Sequence, residues 1–146
     1  MIIQLDPRNF SVFWPMIRTG ILKTSVLPPE LYNEYAKNVL SNLLSGMFQT
    51  WLVFEWDGDE KRIHASLVTS LQVDDLTSMK YLYIESIYGY RPMTPELNLE
   101  TSDELVKFAE SQGCKTIRCH SGNPRIYQIL KEAKFKEVTR IFEREV

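Results

Sequence analysis

The chain holds two cysteines, Cys114 and Cys119, and two histidines, His64 and His120. These are the side chains most often used as nucleophiles and metal ligands. A zinc site needs about four such ligands at short spacing, so no metal is expected. Cys119 and His120 are adjacent, and neighbours on a strand point to opposite faces. A Cys–His nucleophilic pair is therefore not expected from them. Five residues of strand would hold Cys114 and Cys119 about 16–17 Å apart and on opposite faces. A disulfide needs Cα atoms within about 7 Å, so both are read as free thiols of a reducing compartment. His64 reads as an ordinary strand residue. No nucleophile elbow, Walker A loop or dinucleotide fingerprint occurs.

One carboxylate is a better candidate. Glu85 lies in Tyr83-Ile84-Glu85-Ser86-Ile87 on what reads as the central strand. A carboxylate there, its pKa raised by burial, can act as a general base on an amine. The alternative is that Glu85 simply belongs to the polar face of an alternating strand. Tyr81 and Tyr83 share its face, as a substrate groove or as cross-strand packing.

The elements that would position these residues follow from periodicity. Met1 to Leu5 reads as a strand, and Asp6-Pro7-Arg8-Asn9 as a turn and helix cap. Phe10, Phe13, Trp14, Ile17 and Ile21 recur at helical spacing in a helix from Phe10 to Lys23, which starts late or bends at Pro15. Pro29 opens a second helix to Leu44, with Leu31, Tyr35, Val39, Leu40 and Leu43 as its apolar stripe and Gly46 beyond its end. Three strands follow: Phe48–Trp56, an Asp57-Gly58 hairpin turn, Arg62–Val73, a polar loop, and Lys80–Tyr88. Trp51 and Trp56 have opposite parity, which puts one of them outside. A helix from Pro95 or Ser102 to Ser111 turns Leu105, Val106 and Phe108 inward, and Gly113 stops it. Cys114–His120 is a short strand, Ser121–Pro124 a turn, Ile126–Ala133 a helix, and Lys136–Arg144 a final alternating strand. The order β-α-α-β-β-β-α-β-α-β predicts an α/β fold with a single mixed sheet flanked by helices.

At 146 residues the chain is the size of one domain, residues 1–146, and large enough for a core without disulfides. Apolar residues at 44% and charged residues at 25% argue against disorder. A net charge of −2 excludes a general basic coat. Basic residues of the last third alternate with acidic ones, so no nucleic-acid partner is expected. No apolar run approaches the roughly 18 residues of a membrane span, and the N-terminus has no signal-peptide pattern. A soluble intracellular protein is expected.

The element order resembles the GNAT (N-acetyltransferase) superfamily over nearly the whole chain. Locally, Gly113-Cys114-Lys115-Thr116-Ile117-Arg118-Cys119, then Asn123-Pro124-Arg125, then Phe135 twelve residues after Asn123 are similar to that family's glycine, strand, asparagine, helix and Gly-Phe run. The resemblance implies an acetyl-CoA cofactor if the protein is active, a small primary amine as acceptor, Glu85 as base, and Arg91, Met93, Thr94 and Asn123 as cofactor-binding residues. It also marks two departures. The family's pyrophosphate loop is patterned Arg/Gln-x-x-Gly-x-Gly/Ala, and here Arg91-Pro92-Met93-Thr94-Pro95-Glu96 keeps only the arginine. Two prolines remove N–H donors, and Glu96 sets a negative charge against an anion. The tyrosine that many members place seven residues after the asparagine falls on Leu130. Tyr127, three residues earlier and about 4.5 Å along the helix axis, is the substitute candidate for the acid. The chain also resembles the short GNAT-like proteins of tailed phages linked to virion assembly. That implies a cytoplasmic or virion-associated protein which has lost catalysis and works through protein contacts or self-association. The alternative it implies is a working acetyl-CoA-dependent N-acetyltransferase.

Overall fold

The computed structural model describes residues Met1–Val146. Its five strands are β1 (Ile2–Gln4), β2 (Phe48–Asp57), β3 (Glu60–Val73), β4 (Lys80–Gly89) and β5 (Thr116–Cys119). Its four helices are α1 (Phe10–Thr24), α2 (Tyr32–Leu44), α3 (Pro95–Ser111) and α4 (Pro124–Glu132). The strands lie in sequence order, β1 to β4 antiparallel and β5 parallel to β4. The parallel pairing follows from α3, which carries the chain back along the sheet before β5. No helix is long and apolar enough to cross a membrane.

Helices cover both faces of the sheet. Phe10, Ile17 and Ile21 of α1 and Ala36, Val39 and Leu43 of α2 pack on Leu52 and Val68. Leu97, Leu105 and Ala109 of α3 pack on the alternate residues Trp51, Val53, Leu67, Leu82 and Ile84. Strands covered twice must be apolar on both sides, which is why Gln49–Phe54 is buried without a break. Three polar groups there satisfy one another, since Trp51 Nε1 donates to Thr69 Oγ1 at 2.9 Å and Thr69 to Gln49 Oε1 at 3.0 Å, whereas Thr50 Oγ1 has no partner. Trp56, of opposite parity to Trp51, is exposed.

α1 begins at Phe10 despite Pro15. A 3₁₀ turn over Pro7–Asn9 leads into it, capped by Asp6, which accepts from the Arg8 N–H at 2.8 Å. The bond that Pro15 cannot make belongs to the Ser11 carbonyl, on an exposed residue where water can replace it. Further along α1, Gly20 lies against β4. A Cβ there would sit 3.1 Å from Ser66 Oγ, 3.1 Å from Tyr88 Cβ and 3.2 Å from the Tyr90 hydroxyl. That hydroxyl is fixed, since it donates to the Met16 carbonyl and bonds Ser66 Oγ, each at 2.9 Å. Gly20→Ala is therefore expected to destabilise the fold by about 1–3 kcal/mol through overpacking, against a helix-propensity gain of under about 1 kcal/mol. Urea unfolding would measure it, and a variant as stable as the parent would contradict the contact.

Two expectations are corrected. Val106 is not inward; it is 40% exposed, and Leu97, Leu105 and Ala109 form the buried stripe of α3. Leu97, Thr101, Leu105 and Ala109 recur at four-residue spacing and define that face, and Val106 lies half a turn away from Leu97. The final strand over Lys136–Arg144 does not form. Alternation is a local pattern, but a strand needs a neighbour for its backbone. After Phe135 N–H bonds the Leu130 carbonyl at 2.8 Å, the chain has no partner strand and Arg140 turns back to Glu137. Val138, Ile141 and Phe142 are left exposed.

Candidate functional site

The site begins with an irregularity in β4. The β3–β4 register runs Val68↔Ser86 and then Thr69↔Ile84, so Glu85 is the extra residue of a β-bulge. On the other edge, β4 pairs with β5 only from Tyr81↔Thr116 to Ile84↔Cys119. From Glu85 to Gly89 that edge of β4 has no strand beside it. The bulge and the loss of pairing fall at the same residue, and together they open the sheet there.

On the α3/α4 side of this opening lies a cavity of about 170 Å³. Its floor is Ala65, Ile84, Ile87 and Gly89, its walls are α3 and α4, and Met93 and Phe135 close its ends. α4 buries no residue completely, yet it turns Ile126, Ile129 and Leu130 to the cavity. Two hydrogen bonds hold it to α3, from Asn98 Nδ2 to Glu132 Oε2 at 3.1 Å and from Ser102 Oγ to the Ala133 carbonyl at 3.2 Å. The lining is mostly apolar, but Asn98 Oδ1 and Thr101 Oγ1 are buried without a partner. Such atoms cost roughly 1–3 kcal/mol each unless a ligand or water meets them.

The loop between β4 and α3 forms the rim. Arg91 and Met93 line the cavity, and Thr94 caps α3 by accepting from the Leu97 N–H at 3.2 Å. Among the backbone donors from Arg91 to Asn98, Pro92 and Pro95 have none. Arg91 donates to the His64 carbonyl, and Leu97 and Asn98 donate to Thr94. Those of Met93, Thr94 and Glu96 remain free at the first turn of a helix, the arrangement that suits an anion. The loop thus has no glycine and two prolines, yet three of its N–H donors are free.

Glu85 itself turns to the opposite, α1/α2 side, with Tyr81 and Tyr83 as expected from parity. Its Oε1 accepts from Ser70 Oγ at 2.7 Å and from Gln72 Nε2 at 3.4 Å, and Oε2 has no partner. Burial raises its pKa above the ordinary carboxylate value, and the two hydrogen bonds offset part of that rise. Burial, and then the charge of Glu85, raise the phenol pKa values of both Tyr35 on α2 and Tyr83. The Tyr81 hydroxyl donates to Gln72 Oε1 at 2.9 Å, the Arg118 guanidinium lies 4.2 Å from the Tyr81 ring centre, and the Tyr83 hydroxyl is 2.5 Å from His120 Nδ1. A partly buried carboxylate with one free oxygen, ringed by phenols, can hold an ammonium group and take a proton from it.

Sequence reasoning missed Ser70, Gln72, Tyr35 and His120. Ser70 and Gln72 alternate on β3 as Tyr81, Tyr83 and Glu85 do on β4, and the antiparallel connection brings the two sets together. Nothing local marks Tyr35 as part of the site, and His120 stands out in the sequence only as the neighbour of Cys119, not as a partner of Tyr83. The other candidates are not brought to the cavity. Tyr127 is 51% exposed on the outer side of α4. Asn123 caps that helix by accepting from the Arg125 N–H at 3.0 Å and is exposed. Leu130, by contrast, faces the cavity. Cys114 and Cys119 are free, and no group of three or more His, Cys, Asp or Glu could hold a metal ion.

No protein-family model matches the sequence, and no curated protein matches it. Solved structures do match its fold. A predicted acetyltransferase of Clostridium acetobutylicum solved with acetyl-CoA superposes with a TM-score of 0.70 at 14% identity, over 99% of this chain and 95% of that one. A GNAT family acetyltransferase of Staphylococcus aureus gives 0.64 at 12% identity, over 100% and 98%. The glucosamine-6-phosphate N-acetyltransferase of Arabidopsis thaliana gives 0.62 at 11%, over 99% and 97%. The chain has the fold of the GNAT acetyltransferases, as its element order implied.

Proposed function

We propose that this protein is an acyl-CoA-dependent N-acyltransferase that acts on a primary amine. One observation carries the reading. A partly buried carboxylate and an apolar cavity lie on opposite sides of the sheet at the same stretch of β4, where the bulge falls and the neighbour strand ends. An acyl donor and an acceptor can thus approach from two sides and meet at Glu85, which removes the need for either to displace the other.

The residues present fit acetyl-CoA. The apolar lining takes a slender chain, Asn98 Oδ1 and Thr101 Oγ1 are acceptors waiting for donors, and three free N–H groups sit at the start of α3 for the diphosphate. When bound, the cofactor supplies an acyl group on a thioester. The chain's own part is to hold, orient and deprotonate. Tyr81 and Tyr83, on the same face of β4 as Glu85, favour a cationic amine beside it. Glu85 Oε2 accepts a proton from the ammonium, leaving the neutral nitrogen as nucleophile, while Ser70 and Gln72 fix Oε1. Arg91 and the Met93, Thr94 and Glu96 N–H groups would hold the diphosphate, against the opposing charge of Glu96.

The competing reading, a protein that has lost catalysis and acts through contacts, rests on the missing glycines and the two prolines of Arg91–Glu96 and on Leu130, which leaves α4 without a proton donor at the cavity. An alkyl thiolate of pKa near 8.5 is a fair leaving group at neutral pH without one. Tyr127 is not needed for that role: Tyr127→Phe is expected to leave turnover within about twofold of the parent, because removing a solvated hydroxyl changes little. A loss of a hundredfold would put Tyr127 back in the mechanism. The activity itself is tested by thiol release from acetyl-CoA with a panel of small amines. Amine-dependent release supports the enzyme; none with any amine, in a protein that binds the cofactor, favours the contact reading.

A further inference from the structure

The Arg91–Glu96 stretch carries the proposed diphosphate contacts, yet it contains two prolines and no glycine. Something must fix its place. His64 does so twice. It is the extra residue of a second β-bulge, where the β2–β3 register passes from Val53↔Ala65 to Phe54↔Ile63. Its backbone carbonyl there accepts from the Tyr90 N–H at 2.8 Å and from the Arg91 N–H at 3.2 Å. Its side chain, 13% exposed, reaches the same loop: Nδ1 is 2.9 Å from the Pro92 carbonyl oxygen, and Nε2 is 2.8 Å from Glu55 Oε2.

Both partners of the ring are acceptors. A peptide carbonyl has no proton to give, and neither has an ionised carboxylate. Both contacts are hydrogen bonds only when both ring nitrogens carry hydrogen, that is, in the imidazolium. The neutral ring has one N–H for two acceptors. Hydrogen bonds to a charged acceptor are roughly twice as strong as neutral ones, so the single proton stays on Nε2 facing Glu55. Nδ1 then sets a lone pair against the Pro92 oxygen, and that contact opens.

We propose that His64 is a positioning residue for the Arg91–Thr94 loop, and that its imidazolium form locks the loop while its neutral form releases it. The inference rests on the acyltransferase reading for its functional consequence, tighter acyl-CoA binding by the imidazolium form, but not for the lock itself. The charged groups around the ring are few. Glu55 faces it from β2. Arg62 on its own strand is engaged by Asp57, and Arg91 lies in the loop. The N-terminal ammonium sits 2.9 Å from the Phe54 carbonyl and 3.3 Å from Glu100 of α3, and Lys61 lies over the Phe54 and Trp56 rings. Only Glu55 is in hydrogen-bond reach of the imidazole.

The first test needs no ligand. In NMR spectra of the protein alone from about pH 5.5 to 8, the amide shifts of Met93 and Thr94 are expected to move on one sigmoid with the His64 ring. Shifts that ignore the His64 titration would overturn the lock. The second test is affinity for acetyl-CoA by calorimetry over the same range. Affinity is expected to fall about five- to tenfold as pH rises, the size of one lost hydrogen bond. His64→Gln should bind weakly and without that dependence. Glu55→Gln should flatten it in the tight state, because a neutral acceptor no longer wins the single proton from Pro92. A Glu55→Gln protein with the parent's pH dependence would contradict the proposal. If acetyl-CoA binds at no pH while the loop amides still track His64, the function reading fails and the lock stands.

Discussion

Glu85→Gln is expected to lower turnover about 10²–10⁴-fold, the usual range for loss of a general base, with the fold intact. Glutamine keeps the shape and can still accept from Ser70 and Gln72, but it cannot take a proton from an ammonium. The effect should fall on kcat, with a smaller rise in KM for the amine from the lost charge. The parent should also show a pH dependence that the variant lacks. Burial raises the Glu85 pKa, so kcat/KM rises with pH through that raised value as the base becomes ionised. The linkage to stability has the opposite slope. Between the unfolded value and the raised folded one, the native state binds the extra proton, so unfolding stability falls as pH rises through that window. Glu85→Gln removes that fall. Unchanged turnover in the variant would take Glu85 out of the mechanism and leave the bulge as a purely structural feature.

The second large effect is expected at the cavity. Leu130→Trp replaces a branched alkyl group with an indole in a space of about 170 Å³. α4 contains no fully buried residue and is joined to α3 by two hydrogen bonds. The helix can therefore tolerate a larger side chain by small shifts, and stability should change by less than about 1.5 kcal/mol. The cavity, however, is filled. Acetyl-CoA affinity is expected to fall at least tenfold, about 1.4 kcal/mol, and the loss of turnover at limiting cofactor should match it. Calorimetry and unfolding on the same preparation separate the two. Parent-like affinity would mean that the cofactor does not use this cavity.

The fold was legible where periodicity and punctuation agreed. The Asp57-Gly58 turn, the Pro29 helix start and Gly113 after α3 are local signals, and each element they bound is present. The last strand failed because alternation over Lys136–Arg144 says which faces would differ, not whether an edge is available to pair with. Val106 failed because Leu105, Val106 and Phe108 alone span too wide an arc to single out the buried face, which the four-residue recurrence of Leu97, Thr101, Leu105 and Ala109 defines. The site was half legible. Strand parity put Tyr81, Tyr83 and Glu85 on one face. Ser70, Gln72 and Tyr35 reach that face through pairing and packing over 13 to 50 residues of chain, which no local pattern reports. Both bulges, at Glu85 and His64, are register defects between strands and leave no mark in either strand alone. The cavity is the same kind of property. Leu130 read as an absent acid, while its place on α4 makes it a wall.

The most direct test of the central claim is thermal unfolding with and without acetyl-CoA, with a simple adenine nucleotide as the control. A ligand at a hundred times its Kd adds about 2.7 kcal/mol, which for a chain of this length raises the midpoint by roughly 5–10 °C. The account predicts that shift with acetyl-CoA, absent with the nucleotide and reduced in Leu130→Trp. No shift at millimolar acetyl-CoA would contradict it, and would leave a GNAT fold whose cavity and loop no longer serve a cofactor.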